Sequence, residues 1–145
     1  MFEEMKADYF DSMLRAKKGY ARVLEPIVRR WDLTRNELDV LLFLYNNPGF
    51  DRASDIVQRR GIAKSHVSLS VSTLEQKGLL QRRTDENDRR TVHLILTEPA
   101  REAAMLGREA QTGFFRQIFA GLTQNELEQW IAIMEKITGN IRKLD

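Results

Sequence analysis

Residues 61–97 read GIAKSHVSLSVSTLEQKGLLQRRTDENDRRTVHLILT, and this stretch decides the fold. Gly61 can take the left-handed conformation of a tight turn between two helices. Residues 64–77 then carry apolar side chains at helical spacing, which predicts a helix that ends at Gly78. These apolar side chains belong to Val67, Val71 and Leu74.

Beyond Gly78 the apolar period changes from helical to alternating. Residues 79–84 and 91–97 have the pattern of strands, and in the second of them Val92, Leu94 and Leu96 alternate with other residues. The six residues between the two segments, 85–90, are all polar. We therefore predict a β-hairpin with a long charged tip.

The residues before Gly61 predict two more helices. Thr34 and Glu37 have the spacing of a capping box, and the helix that follows should stop in the turn-forming residues 46–49. A short helix at about residues 52–59 then leads into Gly61. Two helices joined by so short a turn form a helix-turn-helix, and a hairpin directly after the second helix makes it a winged one.

Both ends of the chain are predicted to be helical. Apolar residues recur at helical spacing over about residues 3–30, where Pro26 should kink the last turn. Thr97 can cap a helix that runs to about Ala120, and a second capping box at Thr123 opens the final helix.

The predicted fold class is thus mainly α with a small β-hairpin wing. We divide it into an N-terminal dimerisation helix (1–32), a winged helix-turn-helix DNA-binding domain (33–98) and C-terminal dimerisation helices (99–145).

Charge distribution and composition favour some classes of function and exclude others. The net charge is only +2, but between Arg52 and Arg90 nine Lys or Arg stand against five Asp or Glu, a local excess expected of an element that binds a polyanion.

The chain has no cysteine, which excludes disulfides, thiolate zinc sites and iron-sulfur clusters. No apolar run approaches a membrane span and no leader sequence is recognisable, so we expect a cytoplasmic protein without a membrane partner.

The second helix of a helix-turn-helix enters the major groove, so its outward side chains should be polar or small. Residues 64–73 meet this need, and four serines there are poor choices for an ordinary solvated helix face. The DNA-contact candidates in and near this helix are Arg52, Ser54, Lys64, Ser65, His66, Ser68, Leu69, Ser72 and Thr73.

The hairpin supplies a second set of candidates, Arg83, Asp88, Arg89 and Arg90. Arg89 and Arg90 at the tip can enter an adjacent minor groove, where narrow A·T tracts concentrate negative potential. Asp88 would repel phosphate, so we expect it to orient an arginine through a fork-like pair. A solvated turn of mixed charge is the alternative.

These pieces together resemble the multiple antibiotic resistance regulator (MarR) family of bacterial repressors and activators. The resemblance spans nearly the whole chain and is most specific between Lys64 and Thr97. The matching residues are Lys64-Ser65-x-Val67-Ser68, Leu74-Glu75-x-Lys77-Gly78-Leu79, Arg83, Asp85-x-x-Asp88-Arg89-Arg90 and Leu96-Thr97.

The resemblance implies a homodimer held by the terminal helices, with the residue matching Arg90 in the minor groove and Asp88 bracing it. It also implies a small effector, often an aromatic acid or phenol, although no residue pattern here identifies it. This chain departs from the family at Leu69, where arginine is frequent, and at Ser70, where an aliphatic residue is frequent. With only His66 and His93 and no cysteine, it lacks the residues of zinc- and peroxide-sensing members.

Three hypotheses follow. The first is a transcriptional regulator that binds double-stranded DNA at a palindromic operator as a homodimer, without cofactor or metal. The second is a winged module that binds another protein. The third, an enzyme, is poorly supported, since no phosphate-binding glycine loop, catalytic triad or metal-ligand spacing is recognisable. The apolar residues of the terminal helices favour a dimer, and the alternative is that they form the single core of a monomer.

Overall fold

The computed structural model describes residues 1–144 of the 145-residue chain. It contains a two-stranded sheet and otherwise helices, so the predicted fold class is confirmed. The elements lie close to their predicted limits, and in chain order they are α1 (Phe2–Arg30), α2 (Arg35–Asn46), α3 (Ala53–Arg60), α4 (Lys64–Gln76), β1 (Leu80–Thr84), β2 (Val92–Leu96), α5 (Glu98–Ile118) and α6 (Gln124–Ile141).

The chain divides into two compact units, Met1–Thr112 and Gly113–Asp145. Within residues 1–144, none of the helices has both the length and the apolar character that crossing a bilayer requires.

Helix α2 is the centre of the first unit. It packs against α3, α4 and β2, and its apolar side chains on several faces are buried. A helix that is apolar on several faces is stable only when other elements surround it. The buried residues of α2 are Glu37, Leu38, Val40, Leu41, Leu42, Phe43 and Leu44.

Gly107 explains how α5 approaches this centre. A Cβ atom at this position would lie 2.9 Å from Cδ2 of Leu42, whereas Gly113 in the same helix has open space around it. The absence of a side chain at Gly107 thus allows close packing of α5 on α2, which offsets the low helix propensity of glycine. Pro26 lies inside α1, which continues to Arg30.

The turn between α3 and α4 is made as predicted. Gly61 ends α3 in the left-handed conformation, with φ of 68°, and its amide donates to the carbonyl of Val57. Helix α4 then begins at Lys64 and buries Val67, Val71 and Leu74, the stripe expected from the sequence.

The wing is an antiparallel hairpin in which Leu80 pairs with Leu96 and Arg83 with His93. Leu80, Leu94 and Leu96 are buried, so the alternation in β2 identified the inner face correctly. The base of the hairpin is tied to the end of α4, because Thr97 donates through its hydroxyl to the carbonyl of Gly78 (2.8 Å).

A buried carboxylate joins the start of α2 to the end of α4. Thr34 and Glu37 form the predicted capping box, in which the Thr34 hydroxyl accepts from the Glu37 amide (3.2 Å) and Glu37 Oε2 accepts from the Thr34 amide (3.0 Å). The same oxygen pairs with Nζ of Lys77 (3.0 Å), which also donates to the carbonyl of Asp32. Because the Glu37 side chain is only 6% exposed, this ion pair is little screened by water.

We expect Glu37→Ala to lower the free energy of unfolding by roughly 2 to 3 kcal/mol, because it removes a cap and leaves the ammonium of Lys77 without its carboxylate. Urea unfolding followed by circular dichroism measures the loss. The matched control is Glu126→Ala, which removes the exposed glutamate of the capping box of α6 and should cost far less. Equal losses in the two variants would show that burial and the ion pair add nothing at Glu37.

Candidate nucleic-acid interface

The outward face of α4 carries residues that the sequence singled out. Lys64, Ser65, His66, Ser68 and Leu69 are exposed, away from the buried stripe. The buried stripe holds the helix in one rotational setting against α2 and α3, and this setting decides which side chains reach outward. Five of the seven predicted contacts on α4 are therefore accessible to a partner.

The other two predicted contacts on α4 are half-buried and already bonded within the protein. Ser72 Oγ accepts from Nη2 of Arg82 (3.2 Å), and the Thr73 hydroxyl donates to the carbonyl of Leu69 (3.0 Å). Arg82, which the sequence analysis did not single out, also donates from Nε to Glu75 (3.0 Å). Arg82 on β1 thus braces the C-terminal half of α4.

A cleft of about 350 Å³ lies between α3, α4 and the wing. Ser54, Lys64 and Ser68, three of the predicted contacts, lie on its lining together with Arg82. The structure therefore brings together residues of two helices that are separated in sequence by the turn.

Arg52 and Arg83, also predicted contacts, have other neighbours. Arg52 precedes α3 and its Nε lies 3.4 Å from Oδ2 of Asp55, which also accepts from the Arg52 amide (3.0 Å). Arg83 is exposed on β1, opposite His93 in the hairpin. Both arginines lie in the unit that contains α4.

The wing tip is held by two aspartates that cap its backbone. Asp85 Oδ1 accepts from the amides of Asn87 (2.8 Å) and Asp88 (3.0 Å). Asp88 in turn accepts from the amide of Arg90 (3.0 Å) and from the hydroxyl of Thr91 (2.9 Å). Such side-chain bonds to nearby backbone are typical of tight turns.

This geometry differs from the expected fork-like pair at Asp88. Among residues 1–144 no ion pair joins Asp88 to an arginine, because its two oxygens are used by a backbone amide and a hydroxyl. Arg89 and Arg90 are exposed, and neither forms an ion pair within the described part of the chain. Asp88 therefore shapes the turn, while the two guanidinium groups extend into solvent.

His93 connects the wing to the loop before α3. Its Nδ1 lies 2.7 Å from Oδ1 of Asp51 and its Nε2 lies 2.8 Å from Oδ2 of Asp85. A neutral imidazole carries one N–H group, so donation to both carboxylates requires the imidazolium form. The amide of Leu94 also donates to the carbonyl of Asp51 (2.7 Å), so a backbone bond reinforces the link. We call Asp51, Asp85 and His93 the wing clamp.

The electrostatics of the wing clamp agree with its geometry. The hydrogen bonds to Asp51 and then Asp85 raise the pKa of His93 above its ordinary value of 6.5. The hydrogen bond from His93, followed by those from the amides of Asn87 and Asp88, lowers the pKa of Asp85 below 3.8. Both ring nitrogens of His93 are thus occupied by carboxylates of the protein itself.

Part of the wing clamp could have been found from the sequence. Asp85 lies two residues beyond Arg83, on the same face of the hairpin, so once the register is known it is a diagonal neighbour of His93. Asp51 carried no such signal, because it lies 42 residues from His93 in the chain. The part of the chain that the structure describes holds no group of three or more His, Asp or Glu arranged to bind a metal ion.

We expect the stability that His93 adds to the wing to be complete below pH 6.5 and to fall as the pH rises through the raised pKa of His93. On the acid side, the contribution of Asp85 is complete above pH 3.8 and falls as the pH drops through its lowered pKa. An NMR titration of the imidazole carbon-bound protons measures the first effect directly.

Asp51→Asn should move the pKa of His93 back toward 6.5, because it removes the larger of the two causes of the shift. The control is Glu86→Gln, which removes an exposed carboxylate of the wing tip outside the clamp. A wild-type imidazole that titrates at or below 6.5 would contradict the clamp.

Comparison with known proteins identifies the family to which the chain belongs. A sequence model described as the MarR family matches residues 31–91. The homoprotocatechuate degradative operon repressor of Escherichia coli is 28% identical over 139 residues, which cover 92% of this chain and 91% of that protein. The uncharacterized HTH-type transcriptional regulator YwhA of Bacillus subtilis is 31% identical over 98 residues, covering 68% of this chain and 70% of that protein.

The fold agrees with that of a solved relative. The structure of Staphylococcus aureus MarR in complex with salicylate and kanamycin is 19% identical, with a TM-score of 0.76, and the match covers 98% of this chain and 95% of that chain. The chain belongs to the MarR family of winged-helix transcriptional regulators.

Proposed function

We propose that this protein is a repressor that binds a palindromic DNA operator as a homodimer, with α4 in the major groove and the wing in the minor groove. The observation that carries the proposal is the outward face of α4, which is exposed, polar except at Leu69, and backed by a buried stripe. Helices of this kind present their N-terminal side chains to base edges in the major groove. The exposed Arg89 and Arg90 supply the cations that a narrow minor groove attracts.

Exposed apolar side chains support the homodimer. In the first half of α1, six large apolar residues are each at least half exposed, which is unusual for a protein that stays monomeric. They are Phe2, Met5, Tyr9, Phe10, Met13 and Leu14. Helix α6 has no buried residue among those described, although it carries Trp130 and several isoleucines.

This exposure argues against the alternative in which the terminal helices form one core of a monomer. We propose that residues 1–32 and 99–145 contribute to dimerisation and that residues 33–98 bind DNA. A two-fold dimer would present two copies of α4 to half-sites about 34 Å apart.

A small aromatic acid or phenol is the proposed effector. The support comes from relatives, since one is named as repressor of a homoprotocatechuate degradative operon and another was solved with salicylate. Members of the family are transcriptional regulators, so the proposal includes no catalytic step. Salicylate, used as the probe, should weaken operator binding in the assay described next.

Selection of bound fragments from random duplex DNA tests the proposal. We expect a palindrome, bound by two chains, and a logarithm of affinity that falls with the logarithm of salt concentration at a slope of about −5 if about six phosphates are contacted. Failure to enrich any duplex would overturn the proposal. Binding of another protein with little salt dependence would favour the protein-binding hypothesis instead.

We expect Arg90→Ala to weaken operator binding by about 1 to 3 kcal/mol if its guanidinium enters the minor groove. Fluorescence anisotropy with the selected operator measures the change. The matched control is Arg22→Ala, which removes an exposed arginine of α1 and should leave the affinity unchanged. An Arg90→Ala affinity equal to that of the wild type would remove the wing tip from the mechanism.

A further inference from the structure

Leu69 occupies the centre of the outward face of α4 and is 68% exposed. The other large apolar side chains of this helix, those of Val67, Val71 and Leu74, are buried at 2% exposure or less. Because Leu69 points away from this stripe, most of its surface stays in water and it contributes little to the packing of the first unit. It is therefore available to a partner that covers the outward face of α4.

Leu69 is the large apolar group on this part of the face. Its neighbours at helical spacing are Ser65, His66, Ser72 and Thr73, and the short side chains of the two serines do not cover it. One turn further on, the hydroxyl proton of Thr73 is used by the carbonyl of Leu69 itself, and Ser72 already accepts from Arg82. The C-terminal half of the face thus presents an apolar group flanked by polar groups that are bonded within the protein.

The chemistry of the major groove identifies what such a group can contact. Among the four bases, thymine alone presents an apolar group there, its C5 methyl, whereas the other base edges present hydrogen-bond donors and acceptors. A leucine placed against a donor or acceptor would exclude water without replacing its hydrogen bond, which is unfavourable. A leucine at this position therefore favours thymine and disfavours the alternatives.

We propose that Leu69 is a specificity-determining residue that packs on the C5 methyl of one thymine in each half-site. This inference rests on the proposed function and adds the identity of a base that α4 recognises. Serines on either side of Leu69 allow the helix to approach closely enough for that contact.

Replacement of thymine by deoxyuridine tests the proposal, because it removes only the methyl group. In the selected operator, one symmetric pair of thymines is replaced at a time, and affinity is measured by fluorescence anisotropy. The contact is worth about as much as one buried methylene, so we expect removal of the methyl group to weaken operator binding about fourfold per half-site. The loss for a dimer on both half-sites is then about 15-fold.

Leu69→Ala should bind the thymine operator more weakly and show a clearly smaller loss with deoxyuridine at that pair, because the shorter side chain makes little contact with the methyl group. The variant should fold, since the removed side chain is exposed and alanine favours a helix. The matched control is Ser68→Ala, which changes the adjacent exposed residue and should keep the full sensitivity to the methyl group.

Three results would overturn the inference while leaving the proposed function in place. They are a palindrome without thymine in its half-sites, an operator in which no thymine pair is sensitive to deoxyuridine, and an equal deoxyuridine loss in Leu69→Ala and the wild type. Failure to bind any duplex would instead overturn the proposed function, and this inference with it.

Discussion

Burial of one side of α4 against α2 and α3 is the interaction on which the proposed interface depends. Side chains around a helix are separated by about 100°, so a buried stripe at Val67, Val71 and Leu74 decides which residues point away from it. A rotation of the helix by one residue, about 100°, would turn these apolar side chains from the core toward water. The hydrophobic contact that stabilises the domain is therefore the same contact that orients the exposed face.

Electrostatic links then hold α4 and the wing in place. The ion pair of Glu37 and Lys77 connects the start of α2 to the end of α4, and the wing clamp connects the hairpin to the loop before α3. Hydrophobic packing has little directional preference, so these directional bonds restrict how α4 and the wing can move relative to the core. The wing clamp also depends on the charge of His93, because donation to both carboxylates requires the imidazolium form.

In the wing, acidic and basic residues have different roles. Asp85 and Asp88 bond to backbone and hydroxyl groups and so maintain the turn, while Arg89 and Arg90 keep their guanidinium groups in solvent. An arginine already paired with a carboxylate would have to exchange that partner for a phosphate. The turn of this hairpin avoids that exchange, because the carboxylates of Asp85 and Asp88 accept from other donors.

The sequence by itself determined the helices, the hairpin and the side of α4 that is buried. These features depend on local periodicity and on caps within four residues, such as Thr34 with Glu37 and Gly61 in its left-handed turn. It also identified five exposed residues of the candidate interface on α4, whereas the half-burial of Ser72 and Thr73 depends on neighbouring elements.

Tertiary structure alone decided which polar groups meet across the fold. His93 and Asp51 are 42 residues apart, Lys77 and Glu37 are 40 apart, and no local rule selects either partner from many similar residues. The same holds for Asp88, whose choice between a guanidinium and a backbone amide depends on the turn geometry. Hydrogen bonds act over about 3 Å, so they can be assigned only after the packed elements bring distant side chains together.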